Sequence, residues 1–433
     1  MRDFGRSDDP RVQAQLDRLA ALSLPQGRFG LDTIRALMER LGSPHRKLPP
    51  VFHVAGTNGK GSTCAFLRAM LEAQGYRVHV TTSPHLVRYN ERIRIAGELI
   101  SDAELAAVLE EVLDAGEHLG PSVFEVTIAA AFLAFSRTPA DVCVVEVGMG
   151  GRFDATNVLE PMALAACGIA ALGLDHERFL LAPEDGVPKE PMARIAFEKA
   201  GIAKAGVPLV TQHDTYPPEV QAAIREVAER KGAVLHEGFW HCYVAEGQAE
   251  YWPDEYTTVP LFPSLGGAHQ TLNLCLAVSM LLQQRRVAIS EQAIVAGAKT
   301  ARWPARMQRL GEGPLTALVS DQTVWLDGGH NPSAGAAIAA HFDGPLHLVI
   351  GMIEGKDPRA IIDPLGDRLC TLTVVPVPGQ ECHPVEAFGP TATAADNLED
   401  ALRGVPSDDY PILIAGSLYL AGEVLRLNDE VPD

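Results

Sequence analysis

Residues 51–63 read VFHVAGTNGKGST, an apolar stretch that runs into a turn with three glycines around one lysine and two closing hydroxyls. CAFLRAMLEAQ follows at once with helical spacing of its apolar residues, and RVHVTTSP supplies a second strand soon after. The succession is a βαβ unit, which commits the chain to α/β architecture. Gly56, Gly59 and Gly61 permit unusual turns and close approach of a ligand to the backbone, so several N–H groups can converge on phosphate oxygens. Lys60 can neutralise terminal phosphates, and Ser62 or Thr63 can supply an oxygen beside magnesium, with Thr57 and Asn58 completing the loop. The pattern differs from GxxxxGK[ST]: position 54 is Val, and Gly61 separates Lys60 from Ser62. An ordinary strand-to-helix turn is the competing reading of this segment taken alone.

The helix of this unit is expected to start near Ser62. SDAELAAVLEEVLDAGEHL is a helix opened by a Ser101 cap with Glu104 three positions on. ADVCVVEVGMGG and MALAACGIAALGLDH are buried-strand patterns with polar groups just beyond them. Open α/β sheets form their ligand crevices outside the carboxyl ends of the strands, so Ser83, Glu146 and His176 fall where ligands are expected. LLAPEDGVPKEP at 180–191, with three prolines and both charge signs, reads as a loop. MARIAFEKAGIAKAG is helix then turn, PLVTQ a short strand, and 235–265 irregular or part of small strands. HQTLNLCLAVSMLLQQ and SEQAIVAGAKT are helical, and the pattern changes near WPARMQRL. This places a boundary near 300, giving a domain over 1–300 and a smaller α/β domain over 301–433 that contains TVWLDGGHNP, LHLVIGM, TLTVVPV and PILIAGSLYLAGEV. A cleft between two domains is a natural ligand location.

The chain's 433 residues and 47% hydrophobic content suffice for more than one core. A formal charge of −19 disfavours a general polyanion-binding surface, so no nucleic-acid partner is expected. Charges break the apolar stretches of MRDFGRSDDPRVQAQLDRLA, which argues against a leader peptide, and no apolar run approaches the roughly 20 residues of a membrane span. Seven scattered cysteines without a close CxxC pair fit unpaired thiols in a reducing cytoplasm.

Ser83, Glu146 and His176 can together supply oxygen and nitrogen ligands to magnesium, with phosphate and water completing the shell. Taken singly they read as a turn serine, a solvated or capping carboxylate and a packed or surface histidine.

The motifs HVAGTNGKGST, TTSPHLVRYNERI, VCVVEVGMGGRFDATN, LDH, FEKAGIAKAG, HQTLNLCLA, WPARM, LDGGHNPSA and AGSLYLAGEV occur in this order over about residues 50–424. In this the chain resembles the folylpolyglutamate synthase/dihydrofolate synthase family of Mur ligase-like enzymes. The resemblance implies an N-terminal P-loop ATPase domain followed by a smaller Rossmann-like domain, ATP and Mg2+ as cofactors, and dihydropteroate, reduced folates and L-glutamate as substrates of a monomer. It implies that Lys60 belongs to the ATP phosphate loop and that Ser62, Ser83, Glu146 and His176 face magnesium. Lys199 matches a lysine expected to be carbamylated, which would turn an ammonium into an anionic metal ligand; unmodified, it reads as a helix-surface lysine. Asn273 and Arg306 match adenine-recognising and phosphate-recognising positions, and Asp327 and His330 nucleotide-facing ones. Ser83, Pro84, His85, Leu86, Tyr89, Asn90 and Arg92, with Phe124 and Glu125, resemble the pterin or folate segment, Tyr89 offering an aromatic face. Ser417 and Tyr419 resemble the glutamate-side cleft.

Two departures stand out. Where the family commonly has DHTxxLGxTIExIAxEKAGI, this chain reads DHERFLLAPEDGVPKEPMARIAFEKAGI, a proline-rich insertion near the metal or folate entrance. LDGGHNP replaces the common LDGAHNP, a change expected to loosen the backbone. The resemblance implies that ATP phosphorylates the carboxylate of the pterin-bearing substrate and that the glutamate amine then displaces phosphate, within closing domains. A bifunctional enzyme is expected. Competing readings are a single-activity synthase, another Mur-like ligase and a nucleotide-binding protein without turnover.

Overall fold

The structure, a computed structural model, describes residues 5–22, 30–212, 216–238, 242–245, 248–252, 258–319 and 321–432. The chain divides into two compact units: Met1–Pro84 with Arg88–Ser264 and Gln270–Arg302, and His85–Val87 with Leu265–His269 and Trp303–Asp433.

The first unit is built on an eight-stranded sheet: β1 (Val51–Ala55), β2 (Val78–Thr81), β3 (Ile93–Ile95), β4 (Glu98–Leu99), β5 (Val142–Glu146), β6 (Leu164–Ile169), β7 (Pro208–Thr211) and β8 (Val234–Glu237). Their spatial order is β4-β3-β2-β5-β1-β6-β7-β8. The six strands from β2 to β8 run parallel, and β3 and β4 add an antiparallel edge. VFHVA, VCVVE and LAACGI are buried along their whole length, as continuous apolar runs must be when helices cover both faces. Helix starts follow local chemistry: Ser101 Oγ accepts from Glu104 N at 3.3 Å, and Ser122 and Glu125 form a capping box at the head of Val123–Arg137. The region around 235–265 contributes β8 and a small antiparallel sheet of β9 (Cys242–Ala245), β10 (Gln248–Tyr251) and β11 (Val259–Leu261).

The helix after β1 spans Lys60–Ala73, starting two residues before Ser62. Gly59, at φ 81°, turns the chain left-handed and makes Lys60 the first helical residue. Helix Glu291–Thr300 lies against it, and the close approach is made at Gly297. A Cβ there would meet the backbone of Met70, its Cα at 2.5 Å.

The second unit carries β12 (Gln308–Arg309), β13 (Val324–Leu326), β14 (Leu346–Ile350), β15 (Leu369–Val374), β16 (Ala392–Ala394) and β17 (Ile412–Ala415), ordered β12-β13-β17-β14-β15-β16 and parallel except for β12. Strand alternation sorts its residues onto two cores. Val349, Ile412 and Ile414 pack with Leu420 and Val424 of helix Leu418–Leu427; Leu348, Ile350 and Leu413 pack with Ile338 and Ile361 from helices Pro332–Ala339 and Arg359–Leu365. Among the described residues no helix is long and apolar enough to cross a membrane.

Since the neighbour of Gly297 is backbone rather than a flexible side chain, Gly297→Ala must push the two helices apart. It is expected to lower stability by about 1–3 kcal/mol in denaturant unfolding. A variant within about 0.5 kcal/mol of the parent would mean the helix pair is not packed at this glycine.

Candidate active site

In the first unit, four neighbouring strands, β2, β5, β1 and β6, end at the same edge of the sheet and deliver the polar groups singled out in the sequence. The turn after β1 is tied to the continuation of β6: Thr57 N and Asn58 N donate to Ala171 O at 2.8 and 3.1 Å, Ala170 N donates to Ala55 O at 2.8 Å, and Thr57 Oγ1 donates to Gly173 O at 2.9 Å. Gly56, at φ 152°, and Gly59 both hold conformations that a side chain rarely adopts. The space a Cβ would fill at Gly59 is taken by the carboxamide of Asn273, which is buried and donates to Gln270 Oε1 at 2.9 Å.

Lys60 Nζ turns back to donate to Gly56 O at 3.1 Å and Thr57 O at 3.3 Å. Lys199, on helix Pro191–Ala200, reaches the same Gly56 carbonyl at 2.8 Å. Lys199 is no surface lysine; its residue is 4% exposed. Burial is the main cause that pushes its pKa from 10.5 down to about 7, and the neighbouring Lys60 ammonium pushes the same way, against the pull of Asp175, Asp154 and Glu198.

Glu146, at the end of β5, is buried and accepts from Ser83 N at 3.1 Å, which joins two of the residues read as metal-facing. The Cys64 thiol is pushed up chiefly by burial, raised further by Glu146 and lowered by Lys60, so both charges bear on one point of the Lys60–Ala73 helix. Ser62 and Thr63 are buried in that helix's first turn, and Thr63 Oγ1 has no hydrogen-bond partner. His176 is half-buried at φ 53°, its N–H donating to its neighbour Asp175 Oδ1 at 2.7 Å. Among the described residues no group of three or more His, Cys, Asp or Glu side chains converges as a metal cluster.

The segment read as the pterin wall behaves unevenly. The Ser83–Pro84 peptide is cis. Tyr89 presents no aromatic face: it is 1% exposed, its hydroxyl shares a 2.5 Å hydrogen bond with Thr127 Oγ1, and Arg92 lies 4.9 Å over its ring. Asn90 is buried and donates to Ile100 O and Asp102 Oδ1, both at 2.9 Å. Glu125 caps its own helix, and Phe124 lays its ring on Gly148, where a Cβ would meet it at 2.5 Å. His85 and Leu86 belong to the second unit, where Leu86 packs on the core beside helix Leu418–Leu427.

The second unit groups Arg306, Asp327 and His330. Asp327 follows β13 and accepts from Met307 N at 2.8 Å and Gly329 N at 2.7 Å, while Gly328 N donates to Ala305 O at 3.0 Å. These bonds clamp a turn in which Ala305 and Met307 both have positive φ, and the turn presents Arg306 beside Gly328. His330 Nδ1 lies 3.1 Å from Gly328 O. Ser417 caps helix Leu418–Leu427 by accepting from Tyr419 N at 3.1 Å. Gly329 corrects one expectation. A Cβ there would come within 2.8 Å of both Ala334 Cβ and Asp327 Oδ1, so this glycine marks crowding rather than a loosened backbone.

Several residues around Lys199 carried no local signal. Asp154 and Asp175 act on its charge, and Arg152, Glu184, Arg194 and Glu198 form ion pairs beside it. Arg152, Asp154 and Glu198 stand inside quoted motifs, which was the available clue; Glu184 lies in the insertion.

A buried central strand feeding a glycine turn at a helix N-terminus, with oxygen donors on adjacent strand ends and two lysines on one loop carbonyl, has the chemistry of an anion-binding site in a P-loop-type α/β protein. No family model matches the chain. A Bacillus subtilis protein named dihydrofolate synthase/folylpolyglutamate synthase is 38% identical over 437 aligned residues, spanning 92% of this chain and 94% of that one. The structure of Escherichia coli FolC in complex with DHPP and ADP superposes with a TM-score of 0.80 at 28% identity, covering 96% of this chain and 97% of that one. A bifunctional folylpolyglutamate synthase/dihydrofolate synthase with Mn, AMPPNP and L-glutamate bound gives 0.79 at 28% identity, over 96% and 97%. The chain belongs to the dihydrofolate synthase/folylpolyglutamate synthase family.

Lys199 gives a signed prediction. With a folded pKa near 7 against 10.5, the unfolded chain holds a proton there between pH 7 and 10.5 that the folded chain has released. Stability therefore rises with pH across this window, and below it the buried ammonium costs on the order of 5 kcal/mol. Lys199→Met is expected to melt several degrees higher at pH 6.5, with the gain shrinking at pH 9. Equal gains at both pH values, or a loss at pH 6.5, would refute a charged Lys199 as the source of that cost.

Proposed function

We propose that this chain is an ATP-dependent carboxylate-amine ligase that adds L-glutamate to dihydropteroate and to reduced folates through an acyl phosphate. The observation that carries the reading is the convergence of Lys60 and Lys199 on the Gly56 carbonyl, beside buried Glu146 bonded to Ser83. The names of the relative from Bacillus subtilis and of the two solved structures give it the same direction.

The residues suit the groups the reaction needs. The glycine turn at the head of the Lys60–Ala73 helix is a phosphate cradle, since its N–H groups and helix dipole favour an anion. A donor set of two serine hydroxyls and one carboxylate, with one imidazole nitrogen, is mainly oxygen chemistry, which a hard cation such as magnesium takes. Ser62, Ser83, Glu146 and His176 would hold the metal, joined by Lys199 as its carbamate; burial to a pKa near 7 leaves Lys199 the neutral amine fraction that carbamylation consumes. Bound magnesium supplies charge neutralisation on the phosphates during transfer.

This chain's residues would then act in sequence. Lys60 swings from Gly56 O to the terminal phosphates, Asn273 offers a carboxamide donor and acceptor to the adenine edge, and Arg306 presents its guanidinium fork to phosphate oxygens. Asp327 and His330 face the nucleotide, Phe124 offers a ring face to the pterin, and Ser417 and Tyr419 hold the incoming glutamate. The acceptor carboxylate oxygen attacks the γ-phosphorus, the bridging P–O bond breaks and ADP leaves. The glutamate amine attacks the acyl carbon, the C–O bond to phosphate breaks, and the nitrogen loses its proton. No covalent protein nucleophile is needed. The chain is proposed to work as a cytoplasmic monomer, with most of the ATP and folate binding in residues 1–300 and the glutamate side, with Arg306, Asp327 and His330, in 301–433.

Purified protein with Mg-ATP and L-glutamate is expected to add one glutamate to dihydropteroate and one to a reduced folate monoglutamate, followed by mass spectrometry. Product from one acceptor alone would assign a single activity. ATP binding without glutamate-dependent phosphate release would replace the ligase reading with a binding role. Lys60→Met should lower kcat by about 100-fold or more while leaving the melting temperature within a few degrees.

A further inference from the structure

The 180–191 insertion is more than a connection. Glu184, in its middle, accepts from Arg152 Nη1 at 2.8 Å and Nη2 at 2.5 Å, and from Arg194 Nη2 at 2.9 Å. Glu198 takes the same two arginines from the other side, at 2.8 and 3.0 Å. The side chains of Arg194 and Glu198 are each 6% exposed and that of Arg152 19%, while Glu184, 39% exposed, closes this square of two guanidinium groups and two carboxylates from the solvent side. Its charge closes only with Glu184. Without that residue, two largely buried arginines would share one carboxylate, an arrangement that burial makes costly. Arg194 Nε also donates to Leu180 O at 3.1 Å, pinning the insertion's first residue.

The square is built into the backbone around Lys199. Arg152 N donates to Glu198 O at 2.8 Å. A Cβ on Gly151 would lie 2.8 Å from the carbonyl oxygens of Glu198 and Lys199, and one on Gly201 would lie 2.6 Å from Arg152 Cα, so the turn and the helix end touch main chain to main chain. Arg152 cannot shift without moving Lys199. The same turn leaves β5 directly after Glu146, with Gly148 under the Phe124 ring and Gly150 placed so that a Cβ on it would meet Leu180 Cδ2 at 3.0 Å. We propose that Glu184 is a positioning residue of the active site, fixing Glu146 and Lys199 relative to each other through Arg152 and Arg194. The proposal rests on the ligase reading for the roles of Glu146 and Lys199; the geometry of the square does not.

The test compares the full-length parent with Glu184→Gln, Glu184→Asp and the double variant Glu184→Gln/Arg194→Met, which restores charge balance without the tether. The readouts are kcat, KM for L-glutamate, Mn2+ affinity in the presence of AMPPNP by calorimetry, and melting temperature. A displaced reacting group costs up to about 100-fold, so Glu184→Gln is expected to lower kcat at least about tenfold and to weaken Mn2+ binding, with KM for L-glutamate nearly unchanged. Glu184→Asp should recover most of both losses, and the double variant should recover its melting temperature but neither loss. Parental kcat and Mn2+ affinity in Glu184→Gln would overturn the proposal, as would full recovery in the double variant. Should the parent ligate neither acceptor, the ligase reading fails, while the Mn2+ affinities of parent and variants still decide whether Glu184 positions the site.

Discussion

One backbone carbonyl, that of Gly56, receives two lysine ammonium groups. Like charges brought to one acceptor in a buried place repel each other and lose their water, and the fold has to hold them there. It does so with its most rigid part. β1 lies at the centre of the parallel sheet, buried along all five residues, and the turn that follows is bonded to the continuation of β6. Lys199 arrives on a helix whose end is in backbone contact with the turn after β5. Both side chains meet at the turn that opens the Lys60–Ala73 helix, where backbone N–H groups and the helix dipole favour an anion.

The two units use one device. A carboxylate placed at the carboxyl end of a parallel strand accepts from a backbone N–H of a neighbouring turn: Glu146 from Ser83 in the first, Asp327 from Met307 and Gly329 in the second. Each carboxylate thereby fixes the shape of a turn that carries a residue of interest, Ser83 in one case and Arg306 in the other. Both acids are buried.

What could be read from the sequence was what is local. The strand, glycine turn and helix at 51–73 follow from adjacent residues, and Ser83 and Glu146 were marked by standing just after apolar runs. Their pairing was not, because it joins residues 63 apart. Lys199 alone would pass for a surface lysine; only its place in a recognised motif suggested otherwise, since burial comes from elements distant in sequence. Tyr89 misled in the other direction. Its polar neighbours in HLVRYNERI suggest exposure, yet the short turn Tyr89–Arg92 folds the ring beneath Arg92 and against Thr127, 38 residues away. In the charge square, Arg194 and Glu198 are an i,i+4 helix pair that adjacent residues show, whereas the pairs of Arg152 join residues 32 and 46 apart and left no local sign.

The glycine in LDGGHNP shows how such distance changes the meaning of a substitution. Read locally, glycine in place of alanine loosens a turn, because it adds backbone freedom. Gly329, however, is not in the left-handed region, so conformational freedom is not what the position requires. Space is. The missing methyl would press on Asp327 Oδ1, the atom that accepts the N–H of Gly329 itself, and on Ala334 at the start of the following helix. The turn's own N–H lies 2.7 Å from the carboxylate that also holds the Arg306 turn. At this position a residue that looks like added slack stands in close packing around an acidic group.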